Sequence, residues 1–398
     1  MGEHLPGPVA SRPFAVPMRA RSPQQQHRAS TPLELLFDLV FVVAVSQASA
    51  ALHHALAEGH MGEGVSHFLV VFFAIWWAWI NFSWFASAYD TDDVLYRITT
   101  FVQLFGALIL AAGVSRGFNL GDFTIMVSGY VVMRLALVLQ WLRAAKSDPE
   151  HRATALRYAA GITILQVLWV IRLFLPATWQ TPTLIVLILA EFAIPPWSER
   201  TGATTWHPGH IAERYGLFTI IVLGESILSA SMAIQSALDS GSFNSTLAEI
   251  IIGGMLIVLS MWWLYFDRSA EDLLTSQLIV MIWGFGHFFL FGAAAAVGAG
   301  IALQVDYATH HTEISAVAAG TAIAFPVAIY VISLLLMHLR PGELSKGILP
   351  SLVAASLIAL TPFSGHAALL GGILLVTLVV VKHVIHWRLS AIATQVQP

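Results

Sequence analysis

Apolar runs of about 20 residues, each long enough to cross a hydrocarbon layer ~30 Å thick, recur along this chain from residue 33 to residue 387. In hydrocarbon each backbone N–H and C=O must find its partner within the protein, which makes a run of this length a helix. The runs predict spans at 33–57, 66–89, 96–115, 122–143, 154–175, 182–197, 211–235, 247–267, 276–299, 313–337, 347–364 and 367–387. Only 11% of the 398 residues are charged, against about 25% in a soluble domain. That is too little charge to coat a water-soluble globule. The expected fold class is therefore an all-α polytopic membrane protein with about twelve transmembrane helices. Its first partner is membrane lipid, no nucleic-acid surface is expected, and a homo-oligomer is compatible with the pattern. The sequence has no Cys, which excludes disulfides and thiolate metal sites.

An even number of spans puts both termini on one side. With the N-terminus in the cytoplasm, the inner segments hold 16 of the 19 Lys and Arg. Arg116 and Arg172 fall outside and Arg134 lies within a span. Such a bias predicts a multi-pass cell-membrane protein with cytoplasmic N- and C-termini. Residues 1–30 carry five Pro, a Gln24-Gln25-Gln26 run and four Arg, with no apolar stretch before Leu33. They read as a disordered basic cytoplasmic tail rather than a cleaved signal peptide. A repeat is hidden in the order. Glu34 opens the first span and the acidic Asp90-Thr91-Asp92-Asp93 follows 56 residues later, whereas Glu213 opens the seventh and Asp267 follows after 54. Two six-helix halves, 31–200 and 201–388, are expected as a parallel repeat about an axis along the membrane normal. A short C-terminal tail, 389–398, follows them.

Ionisable residues inside spans are costly and must face the interior, a cavity or a partner. Thr31-Pro32-Leu33-Glu34 fits a helix-capping box, which gives Glu34 a structural reason to be there. Asp38 lies about 6 Å deeper, past the first turn, where no free backbone N–H needs it. Arg134 sits mid-span in "GYVVMRLALVL" and cannot shed its charge. It needs a counter-ion, for which Asp38, Glu191 and Glu225 are the candidates. Glu225 in "LFTIIVLGESILSA" is near mid-bilayer, beside Gly224, which would let a neighbouring backbone approach. Glu191 precedes Pro195-Pro196, which are expected to break their helix. His287 in "WGFGHFFLFG" is either a hydrogen-bonded packing residue or part of a path. The ion-pathway candidates are thus Asp38, Arg134, Glu191, Glu225 and His287. The bland alternative is that these groups pair only to fix helix register. His207, His210 and Glu213 are spaced three apart, but Pro208-Gly209 should precede the helix, so the three do not share a face. No metal site or cofactor is expected. No phosphate loop or nucleophile motif is present, so an enzyme is the least favoured class.

The stretches "ELLFDLVFVVAVSQ", "YDTDD" followed by Arg97, "GYVVMRL" and "HIAERYGLFTIIVLGESI" resemble the bacterial low temperature requirement protein A family across most of residues 31–388. The positions carrying the resemblance are Glu34, Phe37, Asp38, Asp90, Asp92, Asp93, Arg97, Arg134, His207, Glu213, Arg214, Gly224 and Glu225. With Asp267, the charged positions outside the pathway set form a structural motif. The resemblance implies a membrane fold but no substrate. Among deep charges Asp38, Glu191 and Glu225 outnumber Arg134, which suits a transporter or channel for a cation or a proton-coupled small solute. The alternative is a non-transporting membrane scaffold or sensor in cold or envelope adaptation. A water-accessible cavity lined by Asp38, Arg134 and Glu225 would favour the first, and a dry packed bundle the second.

Overall fold

A computed structural model describes residues 12–25, 28–239, 241, 243–338 and 347–395, with side chains as far as Arg388. Twelve α-helices follow one another: α1 (Pro32–Ala57), α2 (Met61–Tyr89), α3 (Val94–Leu120), α4 (Thr124–Ser147), α5 (Arg152–Arg172), α6 (Ala177–Ser198), α7 (Pro208–Asp239), α8 (Ser245–Phe266), α9 (Gln277–Ala308), α10 (Ala316–Met337), α11 (Ile348–Leu360) and α12 (Ala367–Gln395). Eleven are long and apolar enough to cross a membrane. Helix α11 has 13 residues and is prolonged by a 3-10 turn over Thr361–Ser364. At about 1.5 Å per residue in the helix and 2 Å in the turn, the unit reaches nearly the same depth. No strand is present among the described residues. The chain is therefore an all-α, multi-pass membrane protein.

Local chemistry explains several boundaries. Thr31 caps α1, with Pro32 at the first helical position and the Glu34 carboxylate returning to the Thr31 N–H at 2.8 Å. Asp93 caps α3 through the Tyr96 N–H at 2.8 Å. Two boundaries differ from the sequence reading. Pro195 and Pro196 do not break α6, which continues to Ser198. Helix α7 begins at Pro208, so His210 lies inside its first turn. Proline is tolerated at the start of a helix, where its missing N–H has no partner to lose. At the far end α12 runs on to Gln395, so most of the expected C-terminal tail is helix.

Helices α2 and α9 form the centre, with 72% and 89% of their apolar windows buried. Small residues let backbones meet there. A methyl group at Gly300 of α9 would collide with the Ala322 carbonyl of α10, and one at Gly129 of α4 with the α3 backbone at Gly106 and Leu110. Part of the packing order within 31–200 recurs within 201–388, although α12 packs extensively on α8 and α6 has no comparable packing on α2. Helix α1 packs on α2 and α3, α3 on α4, α4 on α5 and α5 on α6; α7 packs on α8 and α9, α9 on α10, α10 on α11 and α11 on α12. The first turns of α1 and α7 lie side by side, joined by Glu34 and His210 at 2.9 Å, so the two helices run in the same sense. The interface between the halves is not two-fold, however. Helices α1 and α2 meet α7 and α9, with no comparable packing of α3 on α7. Among the described residues, residues 31–200 and 201–388 thus meet through unlike faces.

The described part of residues 1–30 also corrects the sequence reading. Residues 12–25 form an extended strap across the face that carries the starts of the odd-numbered helices, here called the basic face. Arg12 pairs with Asp92, the Val16 N–H donates to Asp93 at 2.9 Å and the Arg21 N–H to the Ala88 carbonyl at 2.9 Å. Met18 is fully buried beneath it. Composition alone suggested disorder, but the tail's few apolar residues and its backbone donors are matched to an acidic helix end. Residues 1–11, 26 and 27 lie outside the described residues. Among the described residues the second acidic cluster has no such cover, and Asp267, Glu271 and Asp272 are exposed.

Candidate functional site

Three sets of buried polar groups lie within the bundle. The first joins the halves near the basic face. Asp38 accepts hydrogen bonds from Arg214 Nη2 at 2.6 Å and from the Trp79 indole at 2.7 Å. Arg214 Nη2 also donates to Ser83 at 3.2 Å. Glu34 completes its capping box and faces His210 Nε2 at 2.9 Å and Arg214 Nη1 at 3.6 Å. Asp38, Glu34, His210 and Arg214 are all 0% exposed. Around them, the Glu213 carboxylate accepts the Ser30 N–H at 2.9 Å, and His207 Nε2 meets the Gln25 carbonyl at 2.7 Å. His207, His210 and Glu213 thus turn to different partners, and among the described residues no group of His, Asp or Glu is placed to hold a metal ion.

Two further motif carboxylates guard the basic face. Asp92 pairs with Arg97 at 2.7 Å, and Asp93 with Arg143. Burial pushes the Asp93 carboxyl up, but Arg143 and the N–H groups of Tyr96 and Val16 outweigh it and hold the group below its ordinary value. Asp90 fares differently. Burial, reinforced by Glu34, outweighs Arg28 and Arg21 and raises it to about 6.

The second set lies at mid-depth in the first half. Arg134 of α4 donates to Glu191 of α6 at 2.8 Å, and both are buried. Glu191 accepts three more hydrogen bonds: from Trp77 Nε1 at 2.8 Å, from the Tyr130 hydroxyl at 3.2 Å and from Trp169 Nε1 at 3.2 Å. Four donors on one carboxylate are what a charge needs when water is excluded. Glu191 is thus the counter-ion of Arg134; Asp38 is taken by Arg214, and Glu225 accepts from Ser229 at 2.8 Å instead. Gly224 beside it has open space where a side chain would go, so the close helix approach expected there is absent. The third set is His287. Its Nδ1 donates to the Trp283 carbonyl at 2.8 Å, leaving Nε2 to accept the Tyr265 hydroxyl at 3.0 Å. That is the packing role.

No described cavity is lined by Asp38, Arg134 or Glu225. Two cavities instead approach Glu191 from opposite faces. From the outer face, a polar mouth of about 590 Å³ is lined by His67, Asp122, Arg172 and Gln180. A smaller, apolar cavity shares Val70, Phe123, Arg172 and Leu184 with it and has Tyr130 and Trp169 in its wall. Toward the basic face, a cavity lined by Glu199, Thr204 and Gln277 has Trp77 in its wall. Tyr130 and Trp169 in the one wall and Trp77 in the other are three of the four donors to Glu191.

The profile of the bacterial low temperature requirement A protein, LtrA, matches residues 29–385. The chain belongs to the LtrA family. An uncharacterized protein, RA0937, from Rhizobium meliloti (strain 1021) is 28% identical over 389 residues, covering 92% of each chain. No solved structure matches. Of the LtrA motif positions, Glu34, Asp38 and Arg214 converge between the halves, joined there by His210, whereas Arg134 finds its partner in Glu191. The indoles of Trp77, Trp79 and Trp169 were missed in the sequence. For Trp77 and Trp79 the signal was a Trp-rich α2, which reads equally well as packing until a carboxylate is found at the indole N–H; Trp169 stands in α5 with no such signal.

Proposed function

We propose that this protein carries a cation, or a small solute coupled to protons, across the cell membrane, with Glu191 as the group reached from each side in turn. One observation carries the reading: cavities toward opposite faces each have in their walls side chains that donate to the same carboxylate. A cation or a proton at Glu191 weakens its four hydrogen bonds together. Each bond to a buried charge is worth about 1.5–3 kcal/mol, so one event loosens both the outer closure, Tyr130 and Trp169, and the inner closure, Trp77. Mid-membrane placement of an ionisable group between two vestibules is the arrangement alternating access requires. The basic face is assigned to the cytoplasm by its Lys and Arg. The strap and the Glu34–Asp38–His210–Arg214 set then brace the seam across which the halves move.

A scaffold or sensor is the second reading. It is favoured by the full burial of Asp38, Arg134, Glu191 and Arg214, which suits ion pairs that only fix helix register. Uptake into liposomes separates the two. Purified protein is expected to move at least one of sodium, potassium, methylammonium or protons under a gradient, and Glu191→Gln to abolish it. No flux for any of these in the unaltered protein would leave the scaffold reading standing.

A further inference from the structure

The cytoplasmic-side cavity has a chemistry of its own. Six aromatic side chains line it: Trp77, Trp84, Phe85, Trp141, Tyr158 and Phe285. They come from α2, α4, α5 and α9, so the wall is built by tertiary packing and not by one aromatic run. One carboxylate faces in from the end of α6. Glu199 Oε1 accepts from the Tyr158 hydroxyl at 3.0 Å and from Thr204 at 2.9 Å, and Oε2 accepts from Gln277 at 3.0 Å. No Lys or Arg lines the cavity, and its remaining polar groups, Asn81, Thr204 and Gln277, are uncharged. No Lys or Arg among these lining residues offsets the carboxylate of Glu199, so a cation entering the cavity would meet that carboxylate together with aromatic side chains. The open space, about 70 Å³, admits a ligand of a few heavy atoms, since one water centre needs about 10–15 Å³ on the same measure.

We propose that this cavity binds a small organic ammonium cation, held by the aromatic faces through cation–π attraction and by Glu199 through charge. A hydrated inorganic ion gains less there, because aromatic walls cannot replace its oxygen ligands, whereas methylated ammonium is weakly hydrated and shaped for such walls. An anion is excluded by Glu199. The site stands without the transport reading; only the statement that it loads Glu191 past Trp77 rests on that reading.

Choline and its uncharged isostere 3,3-dimethyl-1-butanol test the site on the full-length protein in detergent. Binding is read by calorimetry and by quenching of tryptophan fluorescence. Choline is expected to bind at least about tenfold more tightly than the isostere, the gap that charge recognition at a partly desolvated cage provides. Glu199→Gln keeps the acceptor for Tyr158 and Thr204 but removes the charge, and Trp84→Leu removes one wall; each is expected to weaken choline about tenfold or more. Glu58→Gln, at an exposed helix end on the opposite face, is expected to change nothing. Equal binding of choline and the isostere overturns the proposal without needing any variant, as does unchanged choline affinity in a folded Glu199→Gln protein. Choline binding without flux of any solute refutes the transport reading and leaves the cage. Flux of other cations with no choline binding refutes the cage and leaves transport.

Discussion

The pair Arg134–Glu191 shows what a single residue settles. A guanidinium keeps its proton at any reachable pH, so an arginine in mid-span demands a buried partner on the strength of its position alone. Which carboxylate answers was not legible, because Glu191 meets Arg134 only through the packing of α4, α6 and α2. The same holds for Asp38, whose partner Arg214 is 176 residues away. The two sides of the Arg134–Glu191 pair are unequal. Glu191→Leu strands a cation that cannot deprotonate, a loss of about 3–5 kcal/mol for a broken buried pair. Arg134→Leu leaves a carboxylate that can protonate and still meets Trp77, Tyr130 and Trp169. Melting in detergent is expected to fall further for Glu191→Leu than for Arg134→Leu, with part of the loss recovered in the double variant. Equal losses that simply add would show that the two groups are not coupled.

At the scale of elements, capping chemistry was readable and irregular contacts were not. Thr31, Pro32 and Glu34 announced the start of α1, and the structure places the box as the spacing required. The prolines of α6 misled because Pro195 and Pro196 fall in its last turns, where they do not end the helix. The strap was unreadable because its hydrogen bonds go to Asp93, Asp148 and the end of α2, none of which is near it in sequence. Beneath it, at the end of α2, Asp90 gives a pH prediction. Its Oδ2 is buried without a hydrogen bond, and burial with the neighbouring Glu34 raises the carboxyl from 3.8 to about 6. The fold therefore holds this proton more tightly than the unfolded chain does. The contribution is present below the unfolded value of about 4 and is lost as pH rises through about 6. Asp90→Asn mimics the protonated state. It is expected to raise the melting temperature at pH 8, by a free energy of about 3 kcal/mol at 1.36 kcal/mol per unit, and to leave it nearly unchanged at pH 4. A variant less stable than the parent at pH 8 would show that the charged carboxylate is wanted there.

At the scale of the whole molecule, hydropathy and the placement of Lys and Arg were enough for twelve helices, because a bilayer allows few alternatives. How the halves dock was not readable. Spacing shows that a pattern recurs but carries no account of which faces meet, and the observed union of α1 and α2 with α7 and α9 is asymmetric. The cavities flanking Glu191 were hidden for the same reason, since each draws its wall from at least four helices. The central claim is that Glu191 opens to one side at a time. The chain has no native cysteine, so single cysteines at Ile188 in the outer neck and Asn81 in the inner cavity can report access by their rates of modification in sealed vesicles. The account predicts reciprocal rates. Conditions that speed labelling at 188 slow it at 81 as pH or cation is varied, and Glu191→Gln holds both rates fixed. Rates at the two positions that never change, or that rise and fall together, would contradict it.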